Sequence, residues 1–160
     1  MESIMVMVIA VILAAVVATR WSPFDTIKLN SATRKVAADI RYVQKLAIST
    51  QETYAAIVFN TNGYTVYQRY AAIIATSPGD PCSTDSANKF VVAFNESRCS
   101  NYSGVTASTT LTNNILQFNS LGTPLDDTGA ALGSDKTVTV TYKGANAGIT
   151  IEQGTGRVSY

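Results

Sequence analysis

From Ile4 to Ala18 the chain is apolar without a break, fifteen residues with no glycine, proline or charge among them. As a helix this run is about 22 Å long at 1.5 Å per residue. It has no polar side, so it cannot lie on a globular domain with one face in water. A membrane span takes about 20 residues, and Met1, Ser3 and Thr19 can extend the run toward that length. Arg20 and Trp21 follow at once, a cation and an aromatic of the kind that settle at a membrane interface. A cleaved secretory signal would start basic and end at a small-residue cleavage site, whereas Met1 and Glu2 stand ahead of this run. A plain anchor leaves Glu2 unexplained, because a carboxylate heading an apolar helix is costly unless it stays wet or meets a cation. A segment that resides in a bilayer and then packs against copies of itself, with Glu2 paired to a positive group on a neighbour, uses all three features.

Beyond Trp21 the pattern changes. Ser22-Pro23-Phe24-Asp25 reads as a helix restart, with serine able to cap, proline in the first turn and an acid where the helix dipole favours one. Proline disfavours helix in the residue before it, so a kink is expected near 21–23. Leu29, Ala32, Val36, Ile40, Val43 and Ala47 then recur at spacings of three and four, one face of an amphipathic helix. Arg34, Lys35, Asp39, Arg41 and Lys45 fill the other sides. The helix is expected to end near 49–52, giving a rod of about 75 Å in all. From Arg20 to Glu52 basic residues outnumber acidic ones (Arg20, Lys28, Arg34, Lys35, Arg41 and Lys45 against Asp25, Asp39 and Glu52). That balance reads as a solvated face, or as charge matching between neighbouring copies.

The remaining two thirds alternates β-branched and aromatic residues with loops rich in Ser, Thr, Asn and Gly. Strands are expected at 54–59, 64–70, 89–94, 115–118, 136–143, 148–152 and 157–160, with Asn60-Thr61-Asn62-Gly63 as a hairpin turn. A long helix followed by consecutive strands is an α+β architecture with an antiparallel domain on the second half of the helix. The expected divisions are 1–22 (apolar assembly or transmembrane helix), 23–52 (amphipathic helix) and 53–160 (globular β domain).

Catalytic chemistry has little to work with. The chain has no histidine and no phosphate-binding glycine loop or nucleophile motif, so no enzyme activity and no cofactor is expected. Cys82 and Cys99 fall in no CxxC pair. They read as one disulfide made outside the reducing cytosol, with two buried thiols as the alternative. Asp126, Asp127 and Asp135 could hold calcium or form a solvated loop. Asn95-Glu96-Ser97 and Asn101-Tyr102-Ser103 fit the N-glycosylation triplet, a pattern also frequent by chance.

The segment from Glu2 through Ala18 resembles the signal helix of type IV pilins and type II secretion pseudopilins, in which a glutamate heads the mature apolar helix. Glu2 matches that glutamate. The family carries a short stretch ahead of it where this chain has Met1 alone, so the chain is expected to be trimmed there or to begin unusually. Val11 and Thr19 stand where the family often has Gly and Pro. Ala37 through Ser49, Gln117 through Pro124, and Ile149-Thr150-Ile151 with Gly154-Thr155-Gly156-Arg157-Val158 resemble H-type pseudopilins and related minor pilins. The resemblance implies a structural subunit of a helical extracellular filament, for adhesion, motility or surface contact. The implied assembly residues are Glu2, Ile4, Val8, Ile12, Ala14 and Ala15. The implied partners are further copies of the chain, the inner membrane before assembly and the assembly machinery. A secretion pseudopilin or a DNA-binding minor pilin are the alternatives. The second is weakened by Arg157, which lacks a second cation beside it in the sequence.

Overall fold

The computed structural model describes Val6, Met7, Ile9 and residues 22–51, 54–70 and 72–160. Val6, Met7 and Ile9 are helical and exposed. The rest of the apolar run, and Trp21 at the start of the kink expected near 21–23, lie outside the described residues.

Helix α1 runs Ser22–Thr50 with Asp25 in its first turn. Its last carbonyls find partners locally. The hydroxyls of Ser49 and Thr50 donate to the Leu46 carbonyl at 3.2 and 2.7 Å, and Gln51 takes a left-handed φ of 52° that turns the chain out of the helix. Leu29, Ala32, Val36, Ile40, Val43 and Ala47 are all buried, so the three-and-four spacing reads the inward face correctly.

Ten described strands form two antiparallel sheets. In the larger, β1 (Ala55–Asn60) and β2 (Gly63–Arg69) make the expected hairpin, closed by an Asn60↔Gly63 pair. The Asn60 side chain accepts from the Asn62 amide at 2.9 Å. Gly63 is needed for space: a Cβ there would sit 2.0 Å from the Val92 carbonyl oxygen. The outer edge of β2 is shared by β3 (Ile73–Ile74) and β4 (Val91–Ala93). In the smaller sheet β5 (Thr106–Thr109) is an edge strand. On the other side of β1 lie β6 (Ile115–Phe118) and then β7 (Pro124–Leu125). The smaller sheet runs from β5 through β8 (Lys136–Tyr142) and β9 (Ala145–Ile151) to β10 (Val158–Ser159).

Both sheets turn their apolar faces to α1. Val36, Ile40 and Val43 share one buried cluster with Tyr64, Phe90, Phe94 and Phe118 of the larger sheet side and Val138, Val140, Ile149 and Ile151 of the smaller. In β8 this is the valine half of the Val/Thr alternation, with Val138 and Val140 fully buried. The core is therefore wrapped around the second half of the helix, as an α+β reading requires.

Candidate assembly surface and loop clamp

Helix α1 keeps one side free of the sheets. Ile27, Ser31, Arg34, Ala38, Lys45 and Ile48 are exposed at helical spacing along it. Two large apolar side chains lie near its start, Phe24 at 75% and Ile27 at 63% exposure, and Ile27, Asn30, Ser31 and Arg34 line a shallow depression. Of the residues implied in assembly, Glu2, Ile4, Val8, Ile12, Ala14 and Ala15 lie outside the described residues. Among the described residues no helix is long and apolar enough to cross a membrane.

The structure corrects the sequence reading at Lys35 and Asp39, which were expected on the solvent sides of the helix. Asp39 is buried and the Lys35 side chain is only 7% exposed. The reason is a polar network that the disulfide loop lays over them. Lys35 Nζ donates to Asp39 Oδ2 at 3.1 Å, to Asp80 Oδ2 at 2.6 Å and to Ser83 Oγ at 2.8 Å. The Tyr64 hydroxyl, fully buried, donates to Asp39 Oδ2. Asp80 also accepts from the Cys82 amide at 2.9 Å, capping the short 3₁₀ turn Pro81–Ser83. Cys82 and Cys99 are bonded, with Cα atoms 4.7 Å apart, and both are buried. Arg98 donates to the Thr84 carbonyl and, at 3.0 Å, to the Val91 carbonyl, while its Nε lies 2.7 Å from Glu96. The loop is thus tied across itself by the disulfide and Arg98, and tied down to α1 by Lys35.

Electrostatics follow from this packing. Burial opposes the Lys35 charge, yet the Asp39 and Asp80 carboxylates outweigh it and hold the amine above its ordinary pKa. Burial pushes Asp39 up, only partly offset by Lys35 and the Tyr64 hydroxyl. Asp80 is slightly desolvated but held below the usual carboxylate range by Lys35 and the Cys82 amide. Burial, then the Asp39 charge, drives Tyr64 well above 10.0. One buried cation faces two carboxylates and a neutral phenol. The network anchors the loop to the helix.

A second clamp lies further along α1. Gln44 Nε2 donates to the Gly122 carbonyl at 2.8 Å and the Thr155 carbonyl at 3.0 Å. Arg41 donates to the Val158 carbonyl at 2.8 Å, and its guanidinium lies 5.4 Å from the Tyr160 ring centre. A Cβ at Gly156 would stand 2.7 Å from that Gln44 nitrogen and 3.0 Å from the Gly122 oxygen, at a φ of +67° that itself favours glycine. Gly156, and Gly122, where a Cβ would stand 2.8 Å from the Ile48 side chain, thus let both turns close on the helix.

The calcium reading of the acidic loop is weakened by its geometry. Asp126 Oδ1 accepts from the amides of Thr128 and Ala130 at 2.9 and 3.0 Å, Asp127 Oδ2 from Asn113 at 2.7 Å, and Asp135 from the Gln153 amide at 2.9 Å. No metal-ligating cluster of three or more such side chains occurs among the described residues. Asn95 and Asn101 are exposed. Arg157 shares a surface hollow with Asp135 and Glu152, so carboxylates surround the one C-terminal cation a phosphate would seek.

No family model and no curated protein matches the chain. Among solved structures it is similar to the type IV minor pilin FimU of Pseudomonas aeruginosa in two crystal forms. One is 16% identical, with 84% of this chain and 88% of the other covered and a TM-score of 0.53. The other is 17% identical, covering 82% and 90%, with a TM-score of 0.52. At that identity the likeness speaks for the fold, and it agrees with a long helix packed on antiparallel sheets: the chain has the α+β fold of a type IV pilin.

Proposed function

We propose that the chain is a structural subunit of a pilus-type extracellular filament that polymerises through its apolar N-terminal helix and waits in the inner membrane before assembly. The observation that carries this is the junction at Ser22. A pilin-fold domain has its helix α1 preceded in the sequence by fifteen unbroken apolar residues, and α1 leaves Phe24 and Ile27 uncovered at that end. Burying one Leu- or Ile-sized side chain contributes about 1.5–3 kcal/mol, so the run demands lipid or a bundle of like helices. Ala10, Ala14, Ala15 and Ala18 provide small contacts for such a bundle. Three working parts follow: 1–22 assembles, 23–52 carries the domain, and 53–160 forms the outer surface. Glu2 pairs with a cation on a neighbouring subunit.

The experiment is a charge in the run. Val8→Asp or Ile12→Asp should abolish sheared surface filaments, and Glu2→Ala should lower their yield, while the disulfide-bonded domain stays folded. Normal filaments from the Val8 or Ile12 variants would overturn the reading. A second reading, a minor rather than a main subunit, is favoured by the minor pilin to which the fold is similar. Immunogold labelling separates the two: label along the whole filament means a main subunit, label at sparse points or one end a minor one. The carboxylates beside Arg157 argue against capture of DNA through the C-terminus.

A further inference from the structure

The β8–β9 hairpin carries its turn to the start of α1. Tyr142 and Ala145 close it, with Lys143 and Gly144 between them at φ 48° and 81°. Both central positions of such a turn are left-handed, which favours Asn, Asp or Gly, so a lysine there is held at some conformational cost. Lys143 Nζ donates to the two Asp25 carboxylate oxygens at 3.0 and 3.1 Å, and 58% of its side chain stays exposed. An ammonium has three N–H donors, so at least one is left for a further acceptor. Lys28, one turn along α1 from Asp25, lies 4.8 Å from the Tyr142 ring centre, and Lys143 lies 5.4 Å from the same ring. Two cations thus share one aromatic ring. Phe24, four residues before Lys28 and so on the same side of the helix, is exposed.

The chain ahead of this cluster says what faces it. Ala18 ends the apolar run, and only Thr19-Arg20-Trp21 separate it from Ser22. Even fully extended, that link holds Ser22 within about 14 Å of Ala18, at no more than about 3.6 Å per residue. While the run sits in a bilayer, the first turn of α1 and the hairpin turn bonded to it are therefore within reach of the lipid headgroups. The stretch from Arg20 to Lys28 and the turn together carry Arg20, Lys28 and Lys143 against the single carboxylate of Asp25. Cations beside an aromatic ring and an exposed phenylalanine are the composition that settles on an anionic lipid surface. The opposite end of the hairpin is unlike it, since Asp135 and Glu152 share the hollow of Arg157 there.

We infer that the Lys143–Gly144 turn, with Lys28 and Phe24, is a docking surface for anionic phospholipid headgroups, which hold the globular domain down on the bilayer before assembly. The inference rests on the filament reading, in which the chain waits in the inner membrane, and adds a contact made by the domain itself. The two ammonium groups take headgroup phosphates. Their alkyl stems and the Tyr142 ring lie along the boundary between headgroups and acyl chains, and Phe24 enters it.

The test uses the full chain reconstituted into vesicles of phosphatidylcholine, with and without phosphatidylglycerol, that also contain a lipid with a nitroxide quencher on its headgroup. Cys82 and Cys99 are bonded, so one added cysteine can carry a fluorescent dye. Ala145→Cys places it beside the turn and Ser134→Cys at the opposite end of the hairpin, both at exposed positions. With phosphatidylglycerol present, the dye on Ala145→Cys should be quenched about threefold or more, and salt near 1 M, where the Debye length falls to about 3 Å, should reverse it. Lys28→Gln with Lys143→Gln should remove the quenching, and Lys28→Arg with Lys143→Arg should keep it. The dye on Ser134→Cys should stay unquenched throughout. The inference is overturned by quenching at Ala145→Cys that is equal without phosphatidylglycerol, absent with it, unchanged in the glutamine pair, or matched at Ser134→Cys. It is also overturned by a dye response that follows protein density and not the anionic lipid, which would assign the turn to a second copy. Flotation separates this contact from the wider reading. A chain that floats with the vesicles but shows no anionic quenching loses this contact alone, whereas a chain that does not float loses the membrane stage as well.

Discussion

Ile27 and Ile40 stand on the same helix, thirteen positions apart, in opposite circumstances. Ile40 is fully buried, with both sheets packed around its stretch of α1. Ile27 is 63% exposed, and Phe24 beside it 75%. The domain has enough strands to wrap the helix only from Leu29 onward, so the first turns carry apolar side chains that folding does not use. On the proposed filament reading, an apolar residue left out of the core just after an all-apolar run of sequence finds its partner in another molecule. The stretch of α1 from Leu29 onward is organised by the fold, and the first two turns are the part the proposed assembly would use.

The two isoleucines give the sharpest way to break this comparison. Ile40→Ala opens a cavity between the sheets and should cost about 2–5 kcal/mol, read as a large fall in melting temperature of the disulfide-bonded domain. Ile27→Ala should change that stability by less than about 0.5 kcal/mol yet lower filament yield. If Ile27→Ala destabilised the isolated subunit as much as Ile40→Ala, the division of the helix into two roles would be wrong.

The disulfide loop tests whether the buried stretch of α1 from Leu29 onward is held by the domain alone. Replacing Cys82 and Cys99 together with serine frees a crosslink spanning 17 positions, which should cost about 3 kcal/mol in the chain-entropy model. Lys35 and Arg98 still tie the loop, so the strand pairing of β4 should survive near room temperature. Amide exchange should rise at Val91–Ala93 and stay low in α1 at Ile40 and Val43. Equal loss of protection throughout would mean the loop and helix unfold as one unit.

The contrast also marks what was legible beforehand. The inward face of α1 was, because a period of 3.6 repeats over six residues from Leu29 to Ala47. So were the longer strands, where alternation or a turn pair announces itself, as in β8 and the β1–β2 hairpin. Strands β3, β5 and β7 were not. Two of them are two residues long, and β5 is Thr-Ala-Ser-Thr, a composition that reads as loop until its ladder to β8 is known. The clamp on the loop was equally hidden. Lys35 and Asp39 are an ordinary i, i+4 pair on any helix surface. What buries them is Tyr64 and Asp80, twenty-five and forty-five residues distant from Asp39 and Lys35, a proximity no local pattern encodes. Gln44 shows the same blindness, since its two carbonyl partners come from turns far along the chain.

The smallest effect concerns the innermost member of that clamp. Tyr64→Phe keeps the ring among Phe59 and Phe94 and removes only the hydroxyl that donates to Asp39, at a cost of about 0.5–1.5 kcal/mol near neutral pH. Its signature is in the alkaline range. The folded protein holds Tyr64 well above 10.0, because burial and the Asp39 charge both disfavour a phenolate, while the unfolded chain ionises near 10.0. Stability from this group is therefore complete below pH 10 and is lost as pH rises beyond it, because the unfolded state gives up a proton that the folded state retains. Lys35, also raised above its ordinary 10.5, adds a loss of the same sign slightly higher. Melting temperatures between about pH 8 and pH 11 should fall more steeply in the parent than in Tyr64→Phe, so that the two curves converge at the alkaline end. Parallel curves would show that the hydroxyl is not held in the buried network, and that the disulfide loop owes its place on α1 to Lys35 and Asp80 without it.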